Sequence, residues 1–295
     1  PRDFRRLFFW NDDFAGTVAA LRAEGVTHVV AGSERGVILA DRLAESLNLP
    51  GNGTRLSQAR RDKFVMIEQA AGHGVRTPKQ TQSGDLEEIV NWIEAGDYWP
   101  VVLKPRSAKG SESVRFCVSR AAVAKAFHAI RGRTNSLGEQ NDTVLAQEYI
   151  CGPEYVVDTV SHDGHHRLAG LWAYGKSVAT YDNVGLMATK RLLPAAGPLA
   201  DILFGFAVRV LDALGIRHGA GHCEVIVDEY GPVLVEIGAR LHGGPPAHLM
   251  SRAETGNTTS PMGSSLSKTP ESKSKSLMRM LSCCTLAAWN LRPCV

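Results

Sequence analysis

The chain has 295 residues, 44% of them hydrophobic and 21% charged, and a formal net charge of +3. This balance suits a soluble globular protein of two or three lobes, and no apolar run is long enough to cross a bilayer. Residues 251–295 hold six Lys/Arg against two Asp/Glu, so the 27 basic and 28 acidic residues upstream leave the main body without a nucleic-acid footprint. The six Cys show no CxxC or zinc spacing, and Cys117, Cys151 and Cys223 sit among apolar residues, as thiols of a reduced compartment do. The start, Pro1-Arg2-Asp3-Phe4, has neither an initiator Met nor a signal-peptide layout, which reads as a processed or incomplete chain with a cytoplasmic location.

Residues 7–10 and 27–32 read as short buried strands around a helix over 15–24, and 35–47 as a second helix, a βαβ pattern. Gly32-Ser33-Glu34-Arg35-Gly36 closes the second strand but is not a GxGxxG fingerprint. A helix is expected over 56–73, with Gly74 at its C-cap and Pro78 beyond, and a capped amphipathic helix over 85–95. Arg60-Arg61-Asp62-Lys63 on the first of these reads by itself as a solvated basic face.

Strands follow at 100–105 and 114–118, joined by the small-residue loop Arg106-Ser107-Ala108-Lys109-Gly110-Ser111-Glu112-Ser113. Small residues let backbone amides approach phosphate, and Lys104 at the strand's end supplies charge, although GxxxxGK[ST] is absent. A surface hairpin is the simpler alternative. Strands are also expected at 144–149, 155–161 and 168–173, and a helix over 203–214. Between the first two of these strands, Gln147-Glu148-Tyr149-Ile150-Cys151-Gly152-Pro153-Glu154 breaks at Gly-Pro, where backbone groups can meet an adenine edge and a carboxylate a ribose; exposed edge charges are the alternative. His162, His165 and His166 flank a turn and offer a weak metal-binding possibility. No GxSxG elbow argues for a hydrolase.

Residues 219–244 carry the most information. Strands over 223–228 and 232–237 flank a turn at 229–231, and Glu224 and Glu236 are equally far from its tip, hence rough cross-strand neighbours. Facing carboxylates repel unless something neutralises them, and a hard divalent cation does so. Arg240, four residues on, suits a phosphoryl group or an oxyanion. The alternative is an ordinary hairpin with two solvated glutamates. After about residue 250 periodicity disappears: 14 of the last 45 residues are Ser or Thr, which reads as a disordered or aberrant tail.

Lys63, Lys104 with its loop, Glu148-Tyr149-Ile150, Glu154 and Glu224…Glu236-Ile-Gly-Ala-Arg240 together resemble the ATP-grasp superfamily over about residues 1–250. Residues 31–37, 39–41, 60–63 and 236–244 are most similar to its carboxylate–amine ligases of the L-amino-acid ligase type. The resemblance implies an α/β and α+β architecture: a Rossmann-like domain (1–82), a small lid (83–150), a larger lobe with the metal site (151–250) and the tail (251–295). It also implies missing sequence before Pro1 and after the Arg240 segment, hence a truncated large lobe. Carried over by position, it implies that Lys63 and Lys104 contact ATP, that Ser107, Gly110 and Ser111 close over the triphosphate, that Glu148, Tyr149 and Ile150 hold adenine and that Glu154 holds ribose. Glu224 and Glu236 would bind Mg²⁺, or Mn²⁺ in its place. Arg240 would stabilise the acyl phosphate, with Lys104 the second catalytic group. His242, Gly243 and Gly244 would hold substrate. Many relatives carry Asn two residues after the second metal-binding Glu, where this chain has Gly238. The implied activity is ATP-dependent joining of a carboxylate, an amino acid, to an amine; a homodimer is the implied assembly, with no nucleic-acid or membrane partner. A carboxylating enzyme of the biotin-carboxylase type and a non-catalytic ATP-binding remnant are the alternatives.

Overall fold

The computed structural model describes residues 6–108, 112–179 and 184–243, with the backbone alone described over 176–179 and 184–188. The expectation for the 251–295 tail lies outside the described residues.

Near the N-terminus two helices, α1 (Phe14–Ala23) and α2 (Val37–Ser46), are separated by a 3₁₀ turn at Glu34–Gly36. Val18, Leu21 and Leu43 form a small core between them. The segments 7–10 and 27–32, expected as strands, carry no strand pairing among the described residues. Nor is the first of them buried, since Leu7 and Phe9 are exposed: an apolar run becomes a strand only with a neighbour to share its hydrogen bonds.

The helix expected over 56–73 is shorter. Asp62 takes an extended conformation and its carboxylate accepts from the Phe64 and Val65 amides, so α3 runs only over Lys63–Ala71. The preceding Arg60 and Arg61 do not form a solvated face. Arg60 is 0% exposed, bonded to Asp41 and to the Leu214 carbonyl, and Arg61 is buried beside Glu139. A guanidinium with several acceptors in fixed places can be buried where a lone charge cannot.

Among the described residues nine strands form one antiparallel sheet, in the order β1-β4-β2-β3-β7-β6-β5-β8-β9. The first four, β1 (Gln80–Ser83), β2 (Val101–Lys104), β3 (Arg115–Cys117) and β4 (Val144–Glu148), pack on α4 (Leu86–Gly96) and α5 (Arg120–Ile130). Asp85 caps α4 by accepting from the Glu87 and Glu88 amides, and Ile89, Val90 and Ile93 face the sheet. The other five are β5 (Glu154–His162), β6 (His165–Ala179), β7 (Val184–Leu193), β8 (Gly219–Asp228) and β9 (Gly231–Gly238). Arg115↔Val184 is the one pair joining the two groups among the described residues.

One face of the second group packs on α6 (Pro198–Ala213) and α3. Helix α6 offers Leu203, Phe206, Ala207, Val210 and Leu211, an apolar stripe of helical period. Strand residues Val157, Leu171, Cys223, Val225, Leu234 and Ile237 meet it. Because side chains alternate, the opposite face of the same strands displays Glu154, Asp158, Trp172, Tyr174, Lys190, His222, Glu224 and Glu236. Packing on one side therefore dictates which polar residues gather on the other.

Candidate active site

The register of β8 with β9 places Glu224 directly opposite Glu236. A two-residue turn at Glu229–Tyr230 pairs Asp228 with Gly231 and, counting back, Val225 with Leu234. Simple counting would then set Glu224 against Val235. A β-bulge at this point lets Val235 drop out of the ladder, so that Leu234 and Ile237 both reach the helix side while Glu236 faces its partner carboxylate.

Cations already attend both carboxylates. Lys63, in the first turn of α3, brings Nζ to 3.0 Å from Glu236 Oε2 and donates to the Ala108 carbonyl at 2.9 Å. Helix α3 is held in place for this by Arg106, whose guanidinium pairs with Asp62 at 2.5 Å and whose carbonyl accepts from the Lys63 amide. Lys63 thereby links the loop after β2 to the carboxylate pair. His222 Nε2 lies 3.4 Å from Glu224 Oε1. Two close, partly exposed carboxylates whose charge is balanced by an ammonium and an imidazole are a donor set that suits a hard divalent cation.

Asp158 anchors the neighbouring cluster. Its Oδ1 is 2.8 Å from His222 Nδ1, and its Oδ2 accepts from His242 Nδ1 at 2.9 Å and Trp172 Nε1 at 2.7 Å. Burial alone would raise the Asp158 pKa, but the hydrogen bonds from His222 and His242 outweigh it and hold the carboxyl at about 2. Burial likewise opposes charge on His222, yet its bonds to Asp158 and Glu224 raise it to about 9. His222 faces an acceptor at each nitrogen, so both carry protons. On the far side of His242, Nε2 meets Tyr174 OH and Lys190 Nζ, each at 2.9 Å. Burial lowers the pKa of Lys190 and raises that of Tyr174.

Arg240 leaves the end of β9 and donates to Glu34 Oε2 at 2.7 Å. It crosses directly over Gly238, where a Cβ would stand 3.2–3.3 Å from Arg240 Cγ, Cζ and Nε. Gly238 thus gives Arg240 its path.

The other expected residues fall as follows. Lys104 is buried at the end of β2, and Ser107 offers its carbonyl to Asn135 Nδ2 at 2.5 Å. The Glu148 carboxylate accepts from the Lys79 amide at 3.0 Å, so it is engaged in local pairing. Tyr149 is half-exposed and stacks edge-on with Phe116, with the partly buried Ile150 next to it. Glu154 is buried on the polar face, at the start of β5. Gly243 accepts from Lys190 Nζ through its carbonyl at 3.0 Å. Gly110, Ser111 and Gly244 lie outside the described residues. His162 and His166 turn to Asp163 and to Ser161 and Asp212 and share no centre with each other.

Sequence reading overlooked Asp158, His222, Tyr174 and Lys190. Alternation could have flagged two of them, since Asp158 shares a strand face with Glu154, and His222 with Glu224. Tyr174 and Lys190 depend on strand register, which local pattern does not reveal.

Known proteins resemble this chain in sequence and in fold. A profile of the ATP-grasp domain matches residues 98–246, just over half of the chain. Dapdiamide A synthase of Enterobacter agglomerans is 36% identical over 234 residues, covering 79% of this chain and 55% of that protein. Carnosine synthase 1 of Gallus gallus is 30% identical over 155 residues, covering 49% and 16%. Among solved structures, the L-amino acid ligase from Bacillus licheniformis superimposes with a TM-score of 0.62 at 20% identity, over 81% of this chain and 56% of that one, a likeness of fold. The chain spans about half the length of the first of these relatives. No helix among the described residues is long and apolar enough to cross a membrane. The chain belongs to the ATP-grasp family.

Proposed function

We propose that the chain is an ATP-dependent ligase that joins the carboxylate of an amino acid to an amine and releases ADP and phosphate. The observation that carries this reading is the in-register pair Glu224 and Glu236, tied through Lys63 to the loop after β2. The names of dapdiamide A synthase and carnosine synthase support the choice of an amide-forming ligase over a carboxylating enzyme.

In this reading Glu224 and Glu236 would hold Mg²⁺, or Mn²⁺ in its place, with Lys63 free to turn from Glu236 to the phosphates. The ion, when bound, offsets the negative charge of the nucleotide's phosphates. Lys63 and Lys104 hold the phosphates, and the loop containing Ser107, Gly110 and Ser111 closes over them. Glu148, Tyr149 and Ile150 border the adenine, and Glu154 takes the ribose. A substrate carboxylate oxygen attacks the γ-phosphorus, the bond to ADP breaks, and an acyl phosphate remains; Arg240, released from Glu34, steadies its charge. An amine then displaces phosphate from the acyl carbon. His242, Gly243 and Gly244 lie on the substrate side. The buried thiols Cys117 and Cys223 suit a cytoplasmic location.

The test is a thermal-shift titration of the full chain with ATP, with and without Mg²⁺, followed by ADP release with L-amino acids as carboxylate and amine. A Mg²⁺-dependent rise in melting temperature and amine-dependent ADP release are expected. A clear melt without any shift would refute the nucleotide site. ADP release driven by bicarbonate without an amine would identify a carboxylating enzyme instead.

A further inference from the structure

Asp158 presents its two oxygens to two histidines whose outer nitrogens face different partners. The ionised carboxylate only accepts hydrogen bonds, so the ring nitrogens that face it, His222 Nδ1 and His242 Nδ1, must both carry protons. The far nitrogens differ. His222 Nε2 faces the Glu224 carboxylate and is a donor again. His242 Nε2 faces the Lys190 ammonium, which can only donate, so this nitrogen keeps its lone pair. Tyr174 OH lies 2.9 Å from the same nitrogen, beside Lys190.

We propose that His242 Nε2 is the proton acceptor for a primary-amine substrate, and that Asp158 is the positioning residue that keeps the lone pair on that nitrogen. The proposal rests on the ligase reading above and adds the group that makes the amine nucleophilic. Three observations carry it. A primary ammonium, that of Lys190, already sits on this lone pair at hydrogen-bond distance, so the position accepts the chemical group that the substrate would bring. The His242 and His222 rings lie 4.1 Å apart between centroids, and His222 touches Glu224, which puts the acceptor one ring from the carboxylate pair. His242 is also gripped on every side, by Asp158 on β5, Trp172 and Tyr174 on β6, Lys190 on β7 and His222 on β8.

An ammonium has no lone pair and cannot attack an acyl carbon. In the proposed step the substrate ammonium takes the place of Lys190 and gives one proton to Nε2. The freed nitrogen pair forms the bond to the acyl carbon, and the carbon–oxygen bond to phosphate breaks. Phosphate departs with that electron pair and receives the second proton of the new amide nitrogen. Asp158 then faces an imidazolium, which its charge stabilises, as buried aspartates do in other Asp–His pairs.

The test compares His242→Gln with the wild type in the full chain, using two acceptors for the same carboxylate: an L-amino acid, and hydroxylamine, which is largely neutral near pH 7 and needs no proton acceptor. Amide formed per ADP should fall by about 10²–10⁴-fold in the variant, the range of general-base catalysis, while hydroxamate per ADP falls far less. Equal losses with both acceptors, or no loss of amide, would overturn the proposal. Asp158→Asn replaces one acceptor oxygen with a donor and should lower amide per ADP while shifting the His242 proton toward Nε2; unchanged values of both would remove its positioning role. If the wild type releases no carboxylate-dependent ADP, the ligase reading fails, and the ¹⁵N-histidine NMR spectrum of the same chain still decides the tautomer. A proton on Nδ1 and a bare Nε2 at pH 7.5 supports the inference; a proton on Nε2 overturns it.

Discussion

Replacing Arg60 with Ala should be among the most damaging single changes in the chain. Arg60 is fully buried, with Nη2 2.9 Å and Nε 3.3 Å from Asp41 Oδ2 and Nη1 2.9 Å from the Leu214 carbonyl; Nη2 also donates to the Gly53 carbonyl. Without it, Asp41 stays buried with the Ser57 hydroxyl, 2.7 Å away, as its remaining partner in that cluster, and the carbonyls of Asn52, Gly53 and Leu214 lose a donor. Breaking one side of a buried ion pair costs about 3–5 kcal/mol. At roughly 2–4 °C per kcal/mol for a chain of this size, the melting point should drop by about 6–20 °C. Removing both charges should behave differently: Arg60→Met with Asp41→Leu strands neither ion and should recover most of the loss, to within about 1 kcal/mol of wild type. Urea unfolding followed by circular dichroism, at constant slope, measures all three proteins. A loss below about 1 kcal/mol for Arg60→Ala, or a double variant as unstable as the single, would refute the account of a buried charge kept by its partner.

Glu236→Gln should cost the free chain only about 1 kcal/mol, because the Gln carbonyl can still accept from Lys63, which also keeps its bond to the Ala108 carbonyl; the same substitution should remove the Mg²⁺-dependent shift with ATP. Stability should also fall as pH rises from 6.5 to 9. The His222 pKa is higher in the folded chain, so its contribution is complete below the unfolded value and disappears through about 9, an effect of about 3 kcal/mol at 1.36 kcal/mol per unit. His222→Gln should flatten urea midpoints across that window. Asp158 has the opposite sign: its pKa is depressed, so its stabilisation holds at neutral pH and is lost as pH falls through about 2. Gly238→Asn should push Arg240 off its path and away from Glu34, lowering turnover more than it lowers the melting point; equal effects on both would argue against this route for Arg240.

Strands and helices whose burial shows in their spacing could be read from sequence alone. Strands β2, β4 and β9 and helices α1, α2 and α4 begin and end within two residues of the sequence reading, whereas β8 starts four residues and α6 five residues before it. Strand β1 escaped notice because Gln80-Thr81-Gln82-Ser83 has no apolar face; it exists by pairing with β4. Helix α3 starts late because one carboxylate, that of Asp62, competes for its first amides. The buried Arg60 could not be told from a surface Arg, since its acceptors come from residues 41, 52, 53 and 214. Site residues followed the same division. Glu224 and Glu236 sit on one hairpin and were legible. The cluster around Asp158 takes residues from β5, β6, β7, β8 and the segment after β9, and only the sheet brings them together.

The bulge at Val235 also bears on which lengths of this hairpin can be tolerated. Strand β9 contains one residue more than its ladder uses, so a chain lacking Val235 would still set Glu224 opposite Glu236 and keep Leu234 and Ile237 turned toward α6. A one-residue insertion elsewhere in the strand has no such outlet and would swap its faces, driving a carboxylate into the apolar core. Tolerance to insertion and deletion in β9 is therefore one-sided, with its single free position directly beside the residue that the site depends on.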